Sequence, residues 1–183
     1  MDDRGLVERV RAGDSAAFDA IFRQYYAQLV GYVQSLIRDQ GAAEEIVQDI
    51  MLELWRRRAA LPADTAFKAY LYQSARNRAF NHSRHARVVR ESEPLLLHEA
   101  PSVPAADADA AGDELAEAIR GAVAGLPPRC REIFELSRVD GLRYSEIAST
   151  LGISIKTVET QMGKALSVLR SRLALWLPEA ERS

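Results

Sequence analysis

Only one cysteine is present, Cys130, which excludes an internal disulfide and any cysteine-only metal site. It falls in the apolar register of its helix, so a buried thiol is expected there. No apolar run approaches the roughly 20 residues that cross a bilayer. The opening MDDRGLVERVRAGD lacks the apolar middle of a secretion signal, and the chain is expected to stay in the cytoplasm. HExxH, paired-cysteine and phosphate-loop patterns are missing. His82 and His85 lie three apart on one predicted helix, with His98 further on, and they alone offer a metal. An enzyme built on them is the weaker reading, so no catalytic residue, metal or cofactor is expected.

Net charge is also scarce, at −2, which taken whole argues against nucleic acid. The distribution reverses that conclusion. Residues 1–90 carry 14 basic against 11 acidic groups, residues 91–125 carry 1 against 8, and residues 126–183 carry 9 against 7. Two mildly basic ends on either side of an acidic segment fit two nucleic-acid-binding modules on a linker. At 183 residues and 48% hydrophobic content the chain can bury a core in each module.

What is abundant is helical periodicity. A short amphipathic helix is predicted over Leu6–Ala12, and Gly13-Asp14-Ser15 ends it and caps the next. That second helix runs from Ser15 to Arg38 on a stripe of Phe18, Ile21, Phe22, Tyr25, Leu29, Val33, Leu36 and Ile37. After an interruption at Gly41, a third helix turns Ala43, Ile46, Val47, Ile50, Met51, Leu54 and Trp55 inward. Its outward face holds Glu44, Glu45, Gln48, Asp49, Leu52 and Glu53. A leucine set among acids suits docking onto a basic partner helix, although a solvated strip is the commoner meaning.

Three arginines, Arg56 to Arg58, favour the negative pole of that helix, and Pro62, Asp64 and Thr65 break and recap the chain. The next helix, expected from near Thr65, reads FKAYLYQSARNRAFNHSRHARVVR and has no acidic residue between Ala66 and Arg90. Arginines, aromatics and the amides of Asn77 and Asn81 on one element supply phosphate contacts, stacking surfaces and base-edge hydrogen bonds. A charged helix neutralised by the acidic one before it is the alternative.

From Glu91 to Gly112, periodicity gives way to Pro, Ala, Asp and Glu, the mark of a flexible acidic linker. Leu95, Leu96 and Leu97 within it have no assigned neighbour. Register resumes at Asp113 with Leu115, Ala118, Ile119, Ala122 and Val123 inward, and a further helix follows Pro127-Pro128 to Arg138. Leu142 to Arg170, LRYSEIASTLGISIKTVETQMGKALSVLR, then reads as a helix-turn-helix. Tyr144, Ile147, Ala148 and Leu151 share one face, Gly152 supplies the left-handed cap, and Ser154 caps the second helix. There Ile155, Val158, Met162, Ala165, Leu166 and Leu169 point inward. Lys156, Thr157, Glu159, Thr160, Gly163 and Lys164 are left outward, a set suited to a major groove. The fold class is therefore all-α: two small helical domains joined by a flexible acidic linker, over 1–90, 91–112 and 113–183.

Three stretches in this order resemble the sigma-70 family of RNA polymerase initiation factors, in its short extracytoplasmic-function (ECF) group: AEEIVQDIMLELW at Ala43–Trp55, AYLYQSARNRAFNHSR at Ala69–Arg84, and the stretch from Leu126 to Leu166. The resemblance covers nearly the whole chain. It implies that Glu45, Gln48, Asp49 and Leu52 dock on the beta-prime clamp helices of core RNA polymerase. It implies that Arg76, Asn77, Asn81 and Arg84 bind the proximal promoter element, where a base is flipped into a pocket walled by Leu61 of the loop Ala60–Ala66. Ser154, Lys156, Thr157, Glu159, Thr160 and Lys164 would read the distal element, with the beta flap as a second polymerase contact. The acidic linker would follow the polymerase's nucleic-acid channel. Asn81 stands where many members carry Asp, which removes a charge next to DNA and alters the expected base preference; Glu159 and Gln161 stand where many carry Arg, so the phosphate or guanine contact of that Arg is not carried over. Thr157–Thr160, TVET, is similar to the iron-citrate-type subgroup, which implies a membrane-anchored anti-sigma factor as regulator. A stand-alone helix-turn-helix repressor would use the C-terminal module alike but leaves the first 90 residues without a role.

Overall fold

The computed structural model describes residues 3–61, 67–92 and 110–176, and these are helices and the turns between them. The chain divides into two compact units, Met1–Ala100 and Pro101–Ser183.

In the first unit, α1 spans Asp3–Arg11, α2 Ser15–Ile37, α3 Gln40–Arg56 and α4 Phe67–Ser92, with a 3-10 turn at Arg58–Ala60. Asp14 starts α2 by accepting from the backbone N–H groups of Ala16 (2.9 Å) and Ala17 (3.2 Å). The Arg9 guanidinium donates to the same carboxylate at 2.8 Å, and these bonds hold the Asp14 carboxyl below its ordinary range. Helix α2 ends where expected, at Arg38, but the break before α3 differs from expectation. Arg38, not Gly41, takes the left-handed conformation at φ 58°, and Asp39 caps α3 through Ala42 N–H, so Gly41 lies inside the first turn of α3.

The helices α2, α3 and α4 pack mutually, and α1 closes the unit against α2. Ile21, Tyr25, Leu29 and Val33 of α2 meet Val47, Ile50, Met51 and Leu54 of α3 and Leu71, Tyr72, Ala75 and Ala79 of α4 in a core with several aromatic rings. Tyr25 sits edge-on to Phe67 with centroids 6.0 Å apart, and Tyr32 leans on Tyr72 at 5.2 Å. The Tyr25 hydroxyl stays satisfied by donating to Asp3. Phe22, expected inward, is exposed. It stacks on Tyr26 at 4.6 Å instead, because its position on α2 lies beside the stripe that α3 and α4 cover.

The second unit comprises α5 (Ala110–Ala124), α6 (Pro128–Arg138), α7 (Tyr144–Leu151), α8 (Ile155–Arg172) and a 3-10 turn at Ala174–Trp176. Helix α8 is its axis, contacting α5, α6 and α7. Ile133, Leu136, Ile147, Val158 and Met162 fill one part of the core, and Ala122, Leu126, Cys130, Ala165 and Leu169 another. Leu115 and Ile119, expected inward, are exposed, because the core contact of α5 is made by Ala122 and the Leu126 that follows the helix. Ile155 and Leu166 are exposed as well, which narrows the buried stripe of α8 to Val158, Met162, Ala165 and Leu169. Of the expected linker, residues 91–92 belong to α4 and 110–112 to α5. Leu95, Leu96 and Leu97 lie outside the described residues.

Candidate nucleic-acid and protein interfaces

Burial of Ala43, Val47, Ile50 and Leu54 forces the other side of α3 to face out. Glu45, Gln48 and Asp49 are exposed there, and Leu52 is an apolar point at 46% exposure among them. The face continues onto α2. The Gln48 amide lies 3.4 Å from the Tyr26 hydroxyl, which joins the Phe22–Tyr26 stack to the acidic strip. Periodicity had placed Phe22 in the core, so this aromatic flank was not foreseen.

Helix α4 buries Phe67, Leu71, Tyr72, Ala75 and Ala79 and turns Asn77, Asn81 and Arg84 to solvent. The Arg76 guanidinium lies 4.5 Å from the ring centroid of Phe80, itself 45% exposed. Phe80 adds a planar apolar surface beside the two asparagines. Its four-residue spacing from Arg76 was the available signal.

Between α3 and α4 lies an open cavity of about 220 Å³ lined by Ile50, Glu53, Arg57, Tyr70, Ser74, Asn77 and Arg78. Its charged wall is a ladder. Arg57 contacts Glu53 at 2.7 Å, Arg78 donates to the other Glu53 oxygen at 3.0 Å, and Arg78 also reaches Asp49 at 3.7 Å. The basic helix is therefore partly neutralised by the acidic one at Arg78. Leu61 is only 4% exposed, packed into the core of the unit; residues 62–66 of the loop that follows lie outside the described residues.

In the second unit the turn between α7 and α8 follows from its residues. Gly152 adopts φ 63°, the Ile153 N–H donates back to Ala148 at 3.0 Å, and Ser154 accepts from Thr157 N–H at 3.1 Å. Lys156, Thr157, Glu159, Thr160, Gly163 and Lys164 are all exposed along one side of α8. Several hydroxyls have local partners. Ser154 and Thr157 lie 2.8 Å apart, and Thr160 donates to the Lys156 carbonyl at 2.9 Å. Gln161 turns toward the core, its carbonyl oxygen 2.9 Å from the buried Cys130 thiol.

Among the described residues no helix is long and apolar enough to cross a membrane, and no three His, Cys, Asp or Glu side chains gather around a metal-sized site. His82 and His85 are exposed on α4; His98 lies outside the described residues.

A helical unit with an acidic and a basic face, followed by a unit with a helix-turn-helix, defines a two-module DNA-binding transcription protein. Comparison with known proteins narrows this class. Residues 21–89 match Sigma-70 region 2, and residues 116–169 match Sigma-70, region 4. The chain is 31% identical over 174 residues to the ECF RNA polymerase sigma factor SigK of Mycobacterium tuberculosis, with 92% of this chain and 91% of that protein covered. It is 27% identical over 187 residues to the RNA polymerase sigma-H factor of Pseudomonas aeruginosa, with 97% of each covered. Two solved structures share the fold, each with a TM-score of 0.64. CnrH, in complex with the cytosolic domain of CnrY, is 23% identical, with 94% of this chain and 97% of that one covered. RpoE from Bartonella quintana, in complex with the anti-sigma factor NepR, is 22% identical, with 86% and 96% covered. The chain belongs to the sigma-70 family, in its ECF group, and is a promoter-specificity subunit of RNA polymerase with no catalysis of its own.

Proposed function

We propose that the two units divide initiation between them, as modules over 1–90 and 113–183 joined by a linker over 91–112. Glu45, Gln48, Asp49 and Leu52 of α3 dock on the beta-prime clamp helices, with Leu52 entering an apolar site and the acids meeting a basic surface. Arg76, Asn77, Asn81 and Arg84 of α4 hold the proximal promoter element. Strand opening needs no hydrolysis: a flipped base exchanges stacking in the duplex, worth a few kcal/mol, for contacts in a protein pocket and along the basic helix. The cavity beside Asn77 is the site on α4 that suits such a base, and Leu61 forms the wall behind the loop. On α8, Lys156, Thr157, Glu159, Thr160 and Lys164 read the distal element, Glu159 accepting from a cytosine amine and the lysines meeting phosphate. Ser154 acts there as the cap that sets the helix start.

Neither α4 nor α8 has the charge to hold promoter DNA more than weakly unaided. Tethering both to polymerase raises the effective concentration of the second contact. The observation that carries this reading is the adjacency, in one core, of an acidic α3 face and an α4 with no acidic residue before Glu91. A stand-alone repressor has no use for that pair. The beta flap is the expected polymerase partner of the second unit. The complexes of CnrH and RpoE support an anti-sigma factor as regulator of this chain also. The TVET segment favours the iron-citrate-type subgroup, whose regulator is membrane-anchored, and this chain works in the cytoplasm. Footprinting and run-off transcription test the reading. Protection and transcripts are expected only with core polymerase present, and a footprint from the chain alone would favour the repressor.

A further inference from the structure

Arg78 belongs to the basic helix yet spends its guanidinium on the acidic one. It is held by Glu53 at 3.0 Å and Asp49 at 3.7 Å, and it borders the same cavity as Asn77. Tyr70, Ser74, Asn77 and Arg78 follow one another at four-, three- and one-residue steps. They line one wall of that cavity, and Asn81 continues the row. The two carboxylates differ in what binds them. Glu53 is also held by Arg57 at 2.7 Å, so it keeps a partner if Arg78 leaves. Asp49 has a side chain 70% exposed on the proposed docking face, where a basic partner competes directly for it.

We propose that Arg78 couples polymerase docking to promoter-strand binding: Asp49 and Glu53 hold it on α3 in the free chain, and it passes to the nucleic acid once Asp49 engages the polymerase. The inference rests on the docking and promoter roles proposed for α3 and α4. In the free chain a phosphate approaching Asn77 meets Asp49 and Glu53 with a guanidinium already committed to them. Docking neutralises Asp49, and Arg57 retains Glu53. Arg78 then adds one cation to the row that presents Asn77 and Asn81. Because the pairs are partly exposed, the coupling is modest, up to about fivefold in affinity. Coupling is reciprocal, so removing Arg78 should strengthen docking.

The test uses the full chain in two titrations. In the first, core polymerase is titrated against wild type, R78Q and, as a control of equal charge change that does not touch Asp49, R57Q. R78Q is expected to bind core up to about fivefold more tightly and R57Q less so. Unchanged or weaker binding by R78Q, or an equal gain from both, overturns the coupling. In the second, dye-labelled oligothymidine is titrated over a salt series against the chain alone. E53Q is expected to raise affinity and steepen the salt slope by about 0.7, the signature of one added phosphate contact. The double variant E53Q/R78Q should lose that gain. An E53Q slope equal to wild type overturns the proposal. Failure of the wild-type chain to bind core would overturn the docking role itself, and the coupling with it.

Discussion

The two units solve the problem of touching nucleic acid with little net charge in different ways. The first segregates charge between neighbouring helices, acids outward on α3 and bases along α4, and locks them together through Arg78. The second keeps its proposed reading face nearly neutral, with Lys156 and Lys164 flanking Glu159 on an α8 fixed by its cap and its core. Their interiors differ in parallel. Tyr25, Tyr72 and Phe67 are among the large side chains fully buried in the first unit, whereas those of the second are Ile133, Leu136, Ile147 and Met162. A unit that meets protein and nucleic acid together exposes faces of both signs. A unit that reads base edges needs a rigid, well-seated helix more than it needs charge.

The largest test of this contrast lies in the first unit. Changing Gln48 to Ala together with Asp49 to Lys places a cation on the proposed docking face. Co-purification with core polymerase is expected to fall below detection while circular dichroism and thermal unfolding stay unchanged, and normal co-purification would end the assignment.

Next, Ile133→Ala should cost the second unit about 2–5 kcal/mol, the usual range for a buried branched side chain. Calorimetry is expected to show one transition moving and the other staying. A shift of both together would mean that the units do not unfold separately.

A smaller change is expected from Lys164→Ala, about 1 kcal/mol in promoter binding if its partner is a phosphate. The loss should vanish on a template lacking the distal element. An equal loss on both templates would place Lys164 outside that contact.

The smallest effect is in acid, and its sign separates the units. Arg9 and backbone N–H groups depress Asp14, so its contribution to the first unit is present above the ordinary value of 3.8 and is lost as pH falls through its lower folded value. Burial pushes Glu135 up, partly opposed by Arg131, so the folded second unit holds that proton more tightly than the unfolded chain does. That unit gains from Glu135 as pH falls through the raised value toward 4.5, and the gain is complete below it. The variants Asp14→Asn and Glu135→Gln, followed by unfolding across this range, should each flatten one unit's response and leave the other unit's unchanged.

Much of this was legible in advance. Helix types and order follow from three- and four-residue apolar spacing. The left-handed Gly152 and the Ser154 cap are local features, so reading them needed only neighbouring residues. The acidic α3 face and the basic α4 were legible for the same reason. Misplacements came where a position sits at the edge of a stripe. Phe22, Leu115, Ile119, Ile155 and Leu166 are apolar and in register, yet among the described residues no helix covers them. The interruption assigned to Gly41 falls to Arg38, since the Asp39 cap sets where α3 begins.

The amino-acid sequence by itself determined the all-helical class, the two modules, the turn before the recognition helix and the family, because each depends on short-range pattern. Tertiary structure alone decided which stripe residues find a partner, that Leu61 is buried, and that Gln161 turns inward to Cys130. It also decided that Arg78 lies against Glu53, 25 residues earlier in the chain. Side chains so far apart meet only when packed helices bring them together, and no local period encodes that meeting.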